Sequence, residues 1–345
     1  MTSLPVAPFC LSPADEAALG DLYRRGTAEN TLRAYERDLA YLTAWKAAAF
    51  GAPLSWPETE PVALRFLLDH AEDLTDRPGP AREVAEALIA AGLRRSLACP
   101  APSTVDRRIA SWRAFHRMKN LPSPFDAPLI RQARAKARRA AARPRQRKSE
   151  NPITRDLLSA LLASCGPSRR DQRDRAALIL AWASGGRRRS EITGLNVADI
   201  DTRPMAERDL IRIRLLSTKT TGAEAAPQLP LKGAAARAVL DWIACAGLTE
   251  GPLFRPVSQA DRVLTRRLTP GGFRAIVRHR MILAGYPPDF ASPHGLRSGF
   301  LTQAALDGTP LAAAMQLSLH RSANQAQAYY ADVEIEANPA TDLWR

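Results

Sequence analysis

The spacing of apolar residues predicts helices throughout residues 1–142. In residues 27–50, apolar side chains recur every three or four positions, which is the period of one helix face. They are Leu32, Tyr35, Leu39, Leu42 and Trp45. Gly51 follows this stretch and suits the end of a helix. Four further helices are predicted at 58–74, 81–97, 103–120 and 126–142. No alternating pattern typical of strands occurs before residue 150, so this part is expected to be helical.

The second half combines helices with one short sheet. A helix capped by Thr154 is predicted first, and another follows around 174–186. Apolar and basic residues alternate over 211–215, which is the two-residue period of a half-buried strand. A turn at Thr221-Gly222 leads to a second strand at 228–231, and helical patterns then return. The expected fold is mainly α with a small antiparallel β-sheet in the C-terminal domain, an α+β chain.

Positive charge is concentrated in the middle of the chain. Lys+Arg number 49 against 35 Asp+Glu, a net charge of +14. Residues 101–150 contain 14 basic and 3 acidic residues, whereas residues 1–100 contain 10 basic and 14 acidic residues. A basic stripe between two globular halves favours nucleic acid as a partner, ahead of a membrane surface. A solvated basic linker is the simpler alternative for such a run.

Composition also predicts the boundaries and the compartment. Residues 143–153 are polar and basic and contain two prolines, which is typical of an extended linker between domains at 1–142 and 154–345. No stretch approaches the roughly 20 apolar residues of a membrane-spanning helix, and no secretory signal begins the chain. The cysteines form no CxxC pair, so we expect reduced thiols, a cytoplasmic location and no cofactor or metal. They are Cys10, Cys99, Cys165 and Cys245.

One predicted helix start carries groups that bind anions. Ser292 is a good N-cap, and Pro293 suits the first helical position. His294 then lies in the first turn, with Arg297 three residues later on the same face. Because a helix N-terminus offers unpaired N–H groups and positive dipole, an imidazole and a guanidinium there suggest a phosphate site. A buried histidine beside a surface arginine is the simpler alternative.

Two adjacent tyrosines follow in the next predicted helices. A short helix capped by Thr309 is expected to end at His320, and Ser322 begins the helix that contains Tyr329 and Tyr330. Because adjacent helical residues point about 100° apart, the two tyrosines cannot face the same group. Taken singly, each is more typical of packing than of catalysis.

Together these groups could cleave a phosphodiester without a metal ion. Cleavage needs a nucleophile, positive charge on the non-bridging oxygens and an acid for the leaving 5′ hydroxyl. A tyrosine can supply the first and paired arginines the second, and Lys219 in "STKT" can supply the third. The chain has no HExxH or carboxylate-pair motif. Its one acidic cluster, "ADID" at 198–201, is predicted to be a helix exit into a strand.

The ordered motifs "GRRRSEI", "STKT", "HGLR", "LH" and "AYY" resemble the tyrosine recombinases, or phage integrases. In layout the chain resembles the Cre-like and XerC/XerD-like members, over nearly its whole length. The resemblance implies a helical core-binding, SAM-like domain at 1–142 and an integrase-type catalytic domain at 154–345. It further implies a two-domain DNA clamp and a C-terminal tail from about 331.

The resemblance assigns roles to individual residues. The Ser-Glu pair selects Arg188 among three arginines, although Arg189 stays open as an alternative, and Glu191 matches the supporting acidic position. The family nucleophile follows the later histidine by nine residues, which selects Tyr329. The implied catalytic residues are Arg188, Lys219, His294, Arg297, His320 and Tyr329. The family usually has glycine where this chain has Leu319.

The same resemblance implies DNA as the partner. The expected contacts come from two basic helices, namely Arg107, Arg108, Arg113, Arg117, Lys119, Arg131, Arg134, Lys136, Arg138 and Arg139. The implied reaction is site-specific recombination through a 3′-phosphotyrosyl link and a Holliday junction. The resemblance implies that a tetramer assembles on two DNA sites with inverted repeats, and that the protein is a monomer or weakly associated without DNA. It also implies a nucleoid-associated protein of a prokaryote, a phage or a plasmid. Alternatives are a type IB topoisomerase, a telomere resolvase and a non-catalytic DNA-binding protein.

Overall fold

A computed structural model describes residues 12–141, 149, 151–215, 227–320 and 322–336. The chain divides into two compact units, Met1–Pro144 and Arg145–Arg345. Helices dominate the described residues, and one three-stranded antiparallel sheet accompanies them in the second unit. The predicted α+β class is therefore confirmed. Of the helices in these ranges, none is both long and apolar enough to span a membrane.

The described part of the first unit contains six α-helices. They are α1 (Pro13–Gly26), α2 (Glu29–Phe50), α3 (Glu60–Asp69), α4 (Pro80–Ala90), α5 (Pro102–Met118) and α6 (Pro128–Ala140). The five predicted helices are present, but two end early. Helix α4 stops at Ala90 because Gly92 follows with a φ of 70°, which reverses the chain. Helix α1 was missed, because its apolar side chains Leu19, Leu22 and Tyr23 are exposed and give no buried stripe.

The core of the first unit is built on aromatic contacts. Trp45 is fully buried and meets the rings of Phe66 and Trp112 edge-on, at centroid distances of 5.0 and 6.1 Å. The predicted stripe of α2 is wrong at Leu39, which is exposed. Asp38 takes the buried position instead, because it accepts a hydrogen bond from the Ser111 hydroxyl at 2.7 Å and pairs with a basic side chain of α5.

The second unit contains the remaining elements. Its helices are α7 (Arg155–Ala163), α8 (Arg169–Ala183), α9 (Arg189–Gly194), α10 (Met205–Arg208), α11 (Gly233–Cys245), α12 (Pro270–Leu283), α13 (Pro293–Leu306), α14 (Leu311–Ser318) and α15 (Ala323–Glu336). Its strands are β1 (Ile200–Asp201), β2 (Leu210–Arg214) and β3 (Gln228–Lys232). Helix α15 continues through the residues predicted to begin the C-terminal tail, and 337–345 lie outside the described ranges.

The sheet confirms the alternating pattern. Ile211 and Ile213 of β2 are buried and stand opposite Leu231 and Leu229 of β3. Arg212 and Arg214, which alternate with the two isoleucines, are half-buried and exposed, respectively. Strand β1 follows a 3₁₀ turn directly, so the "ADID" cluster is the predicted helix exit into a strand. The predicted turn at Thr221-Gly222 and the candidate acid Lys219 lie outside the described residues.

Helix α8 lies at the centre of the second unit, against α11 and α13. The chain before α7 lies against α13 and is buried there. The N–H group of Ile153 donates to the carbonyl oxygen of Gly295 at 2.8 Å, and the Trp182 indole donates to the Ile153 carbonyl oxygen at 2.8 Å. Part of the predicted linker at 143–153 therefore belongs to the second unit. Gly299 makes this approach possible, since a Cβ there would lie 1.9 Å from the Ile153 oxygen.

Candidate active site

The start of α13 is formed as the sequence predicts. The Ser292 side chain accepts a hydrogen bond from the N–H of His294 at 3.2 Å, and Pro293 occupies the first helical position. The N–H of Ser292 donates to the hydroxyl of Ser149 at 3.0 Å, so the chain before α7 also holds this cap. His294 in the first turn and Arg297 three residues later consequently project from a fixed helix.

Arg297 connects three segments of the site. Its side chain is 4% exposed, and its Nη1 and Nη2 donate to the carbonyl oxygens of Gly186 and Ser318 at 2.9 and 2.8 Å. Its Nε lies 3.3 Å from Nε2 of His320. Burial, followed by the positive charge of Arg188, lowers the pKa of Arg297 to about 10. The guanidinium therefore stays protonated at neutral pH and keeps its charge for an anion.

His320 lies just beyond the end of α14. That helix begins one residue after Pro310 and ends at Ser318, so the predicted cap at Thr309 and the predicted end at His320 are each displaced. The hydroxyl of Ser318 lies 2.8 Å from His320 Nδ1. Burial, then the charges of Arg297 and other basic groups, lowers the pKa of His320 to about 4. The imidazole is therefore neutral near pH 7.

Leu319, which lies between Ser318 and His320, has an unusual backbone conformation. Leu319 adopts the left-handed conformation, with φ 54° and ψ 41°, a region that glycine enters without strain. The glycine that the family usually has at this position would adopt this backbone conformation without strain. The departure at Leu319 therefore stores strain of about 1 kcal/mol beside the site.

Helix α15 turns its two tyrosines in different directions. The Tyr329 hydroxyl lies 3.2 Å from His294 Nε2, and its ring centroid is 6.3 Å from that of His320. Tyr330 is 3% exposed, and its hydroxyl donates to the carbonyl oxygen of Thr309 at 3.1 Å. Tyr329 thus stands at the site and Tyr330 in the adjoining core. The role of nucleophile remains a prediction for Tyr329.

Arg188 caps helix α9 and pairs with the predicted acidic residue. Its Nη1 lies 2.7 Å from Glu191 Oε1, and its backbone N–H donates to Oε2 at 3.0 Å. Glu191 is buried, whereas the Arg188 side chain is 39% exposed. Arg189 is exposed in the first turn of α9, so the geometry favours Arg188 as the arginine of the site.

Three neighbouring features were not predicted. Arg187 is almost completely buried and donates to the carbonyl oxygen of Leu317 at 2.8 Å. Gly185 and Gly186 precede it, both with positive φ, and Ser318 contacts two site residues. The adjacent glycines were the available signal, because a Gly-Gly pair before charged residues suggests a close backbone approach. No group of three or more His, Cys, Asp or Glu within the described ranges could hold a metal ion.

The ten predicted DNA-binding residues all lie in the described first unit, in three different settings. Arg108 is buried and stacks on the Tyr41 ring, 3.2 Å from its centroid. Four others form ion pairs with carboxylates, namely Arg107, Arg113, Arg134 and Arg138. The remaining five are exposed and have no ion pair with a described residue: Arg117, Lys119, Arg131, Lys136 and Arg139. The role of all ten in DNA binding remains a prediction.

A helix start, two arginines and a tyrosine within reach of a histidine form a site suited to a phosphodiester. Residues 152–335 match the family model described as the phage integrase family. The chain belongs to this family, whose members are tyrosine recombinases. It is accordingly an enzyme of DNA strand breakage and rejoining, a site-specific recombinase.

Individual relatives agree with this assignment. An integrase/recombinase described as a xerD homolog from Selenomonas ruminantium is 24% identical over 316 residues, 88% of this chain and 82% of the relative. Tyrosine recombinase XerD from Xanthomonas axonopodis pv. citri (strain 306) is 27% identical over 340 residues, 92% of this chain and 94% of the relative.

One solved structure illustrates the shared fold. The Tn1549 transposon integrase in complex with circular intermediate DNA has a TM-score of 0.57 and 16% identity. The match covers 93% of this chain and 99% of that one. At this identity, the likeness establishes the fold alone.

Proposed function

We propose that this recombinase cuts and rejoins DNA through a 3′-phosphotyrosyl intermediate, with Tyr329 as the nucleophile. The observation that carries the proposal is the 3.2 Å distance between the Tyr329 hydroxyl and His294 Nε2. A hydroxyl held beside an imidazole can lose its proton as it attacks. Tyr330 has its hydroxyl committed to a carbonyl oxygen in the core, which supports Tyr329 rather than its neighbour.

Each bond change has a candidate group. The Tyr329 oxygen forms a bond to the scissile phosphorus while the bond to the 5′ oxygen breaks, and the tyrosyl proton passes to His294. Lys219 protonates the departing 5′ oxygen. The free 5′ hydroxyl of a partner strand then reverses the step, so the bond energy is conserved in the phosphotyrosine.

Charge on the phosphoryl oxygens would be balanced by fixed cations. Arg297 is held by two carbonyl oxygens, and Arg188 is held by Glu191, so neither needs to reorganise during the reaction. The neutral His320 would act as a hydrogen-bonding group rather than as a charge. Preorganised positive charge of this kind usually supplies most of the rate in phosphoryl transfer.

The same chemistry suggests the larger reaction. We propose that the first unit, through its basic helices α5 and α6, and the second unit both contact duplex DNA at inverted repeats. Four protomers on two sites would exchange strands through a Holliday junction. Family membership supports recombination, and the concentration of basic residues in 101–150 supports DNA contact by the first unit.

A nicked duplex tests the covalent step. Duplexes are tiled across the DNA that flanks the coding gene, each with a nick near the expected cleavage point. On cleavage, the short fragment that carries the new 5′ hydroxyl diffuses away, so the 3′-phosphotyrosyl adduct cannot be reversed and accumulates. The wild-type protein and Tyr330→Phe should form a product that resists denaturation in detergent. Tyr329→Phe should form none, yet should bind the same duplex with unchanged affinity. Absence of an adduct with the wild type would remove the proposal, and adduct formation by Tyr329→Phe would move the nucleophile elsewhere.

A second measurement separates recombination from simple relaxation. A plasmid with two copies of the trapped site should yield recombinant products when incubated with the wild-type protein. Relaxation of supercoils without exchange between the two sites would instead indicate topoisomerase-like chemistry.

The salt dependence of binding tests the DNA contacts. Arg131→Ala, Lys136→Ala and Arg139→Ala remove exposed charges of α6 that have no ion pair with a described residue. Each phosphate contact that is lost should reduce the slope of log affinity against log salt by about 0.9. Arg77→Ala, which removes an exposed arginine paired with Glu72, is the matched control and should leave the slope unchanged. An unchanged slope in all three α6 variants would place the DNA contacts elsewhere.

A further inference from the structure

Arg187 is a buried arginine that the proposed chemistry does not use. Its side chain is 1% exposed, and its Nη2 donates to the carbonyl oxygens of Leu317 and Gly185 at 2.8 and 3.2 Å. Its Nε and Nη1 have no hydrogen-bond partner among the described residues. Oε2 of Glu191 lies 3.8 Å from Nη1, beyond hydrogen-bond distance.

Stability of the fold alone does not explain a buried arginine with N–H groups that are unpaired among the described residues. Taking a guanidinium out of water is costly, and an apolar side chain of similar volume often stabilises a protein at least as well. Burial accordingly lowers the pKa of Arg187 to about 10, with Glu191 opposing the change. The arginine therefore needs a reason other than packing, and its contacts suggest what that reason is.

The turn before Arg187 is fitted tightly against two parts of the site. A Cβ on Gly185 would lie 2.3 Å from the Leu317 oxygen, and a Cβ on Gly186 would lie 2.4 Å from the Arg297 Cα. Only glycines permit this approach, and both have positive φ. Arg187 follows this turn immediately and fastens its side chain to the same Leu317 carbonyl group.

Leu317 begins the short stretch that carries His320. Arg187 holds the carbonyl oxygen of residue 317, and Arg297 holds that of residue 318. Two guanidinium groups from different parts of the chain thus donate hydrogen bonds to consecutive carbonyl oxygens at the end of α14. The strained Leu319 comes next, so the position of His320 depends on how firmly these two peptides are fixed.

We propose that Arg187 is a positioning residue, which acts through Leu317 to place His320 beside Arg297 for the reaction on DNA. This inference rests on the proposed function of the site. A guanidinium suits this role because it is planar and directs its N–H groups in fixed directions. Nη2 of Arg187 thereby joins the carbonyl oxygens of Gly185 and Leu317.

Single-turnover cleavage of a nicked duplex at saturating protein tests the inference. Arg187→Met should cleave roughly 100-fold more slowly, the loss that a displacement of about 1 Å in a catalytic group produces. Its DNA affinity should be unchanged. Arg173→Met is the matched control, since Arg173 is also a buried arginine of the second unit but pairs with Asp174, away from the site. It should lose thermal stability and retain the cleavage rate below its melting temperature.

A double-mutant cycle distinguishes positioning from general destabilisation. If Arg187 acts through His320, Arg187→Met should slow the His320→Ala protein by less than about threefold, because the group that it places is already gone. An equal loss in both backgrounds would overturn the inference, as would wild-type cleavage by Arg187→Met. If the wild-type protein itself forms no adduct, the proposed function fails instead, so the two failures are separable.

Discussion

The hydroxyl of Tyr330 donates a hydrogen bond to the carbonyl oxygen of Thr309, 3.1 Å away, and this bond joins α15 to the chain just before α14. The Tyr330 ring packs in a small cluster with Leu301, Ala304 and Ala314. Tyr330→Phe keeps the ring and removes the bond, so the free energy of unfolding should fall by about 1 kcal/mol. Tyr330→Ala also empties the cluster and should cost about 3 kcal/mol or more. Urea unfolding measures both, and equal values for the two variants would contradict the packing described.

The left-handed backbone at Leu319 predicts different outcomes for two substitutions. Leu319→Gly removes about 1 kcal/mol of strain but also loses the contacts of a half-buried leucine, so the free energy of unfolding should change by less than about 1 kcal/mol. Leu319→Val keeps an apolar side chain but is β-branched, and should lose about 1 kcal/mol or more together with cleavage activity. Thermal melting and the nicked-duplex assay check the pair. A valine variant as stable and active as the glycine variant would show that the backbone there is not strained.

Gly299 should not tolerate even one methyl group. A Cβ there would lie 1.9 Å from the Ile153 oxygen and 2.2 Å from its carbonyl carbon, which is backbone that cannot move aside cheaply. Gly299→Ala should therefore destabilise the second unit by about 3 kcal/mol or more. Gly194→Ala provides the matched control, since a Cβ at that helical glycine meets nothing within 4 Å. Its melting temperature should equal or exceed that of the wild type, and a similar loss in both variants would contradict this account.

Acidification should weaken the fold through buried imidazoles. Burial lowers the pKa of His70 to about 3. The buried ring lies 2.7 Å from the Tyr41 hydroxyl and 2.7 Å from the Phe66 carbonyl oxygen. Below the unfolded value of about 6.5, the unfolded chain binds a proton at this residue that the folded chain does not. The free energy of unfolding should therefore fall as the pH decreases from about 6.5, by at most about 1.4 kcal/mol per pH unit for this group.

Variants of two histidines isolate this effect. Urea unfolding at pH 6.5 and 5.5 should show a smaller loss for His70→Gln than for the wild type. His279→Gln, which replaces an exposed histidine, should match the wild-type slope. A His70→Gln slope equal to that of the wild type would assign the acid sensitivity to other groups, among them His320, whose pKa is also lowered.

The sequence revealed the parts of the site that follow from local rules. Ser292 and Pro293 fix a helix start by cap chemistry. The choice of Tyr329 came instead from the family resemblance, which implies a nine-residue offset from His320, and the structure places that tyrosine near His294. Arg187 could not be found this way, because its partner Leu317 is 130 positions away and only the folded chain brings them together. Leu39 was misassigned for a similar reason, since the buried face of α2 depends on a partner for Asp38 that lies on another helix.

The close fit of residues 151–153 to α13 has a consequence for dividing the chain. A catalytic fragment that begins at Thr154, the start suggested by composition, would lack Ser149 and Ile153 and would expose a bare glycine face on the helix of His294 and Arg297. Residues 151–153, which the sequence suggests are part of a linker, instead pack against that helix. An autonomous catalytic fragment should therefore begin ahead of Ser149, and the functional boundary of the second unit lies upstream of its first regular helix.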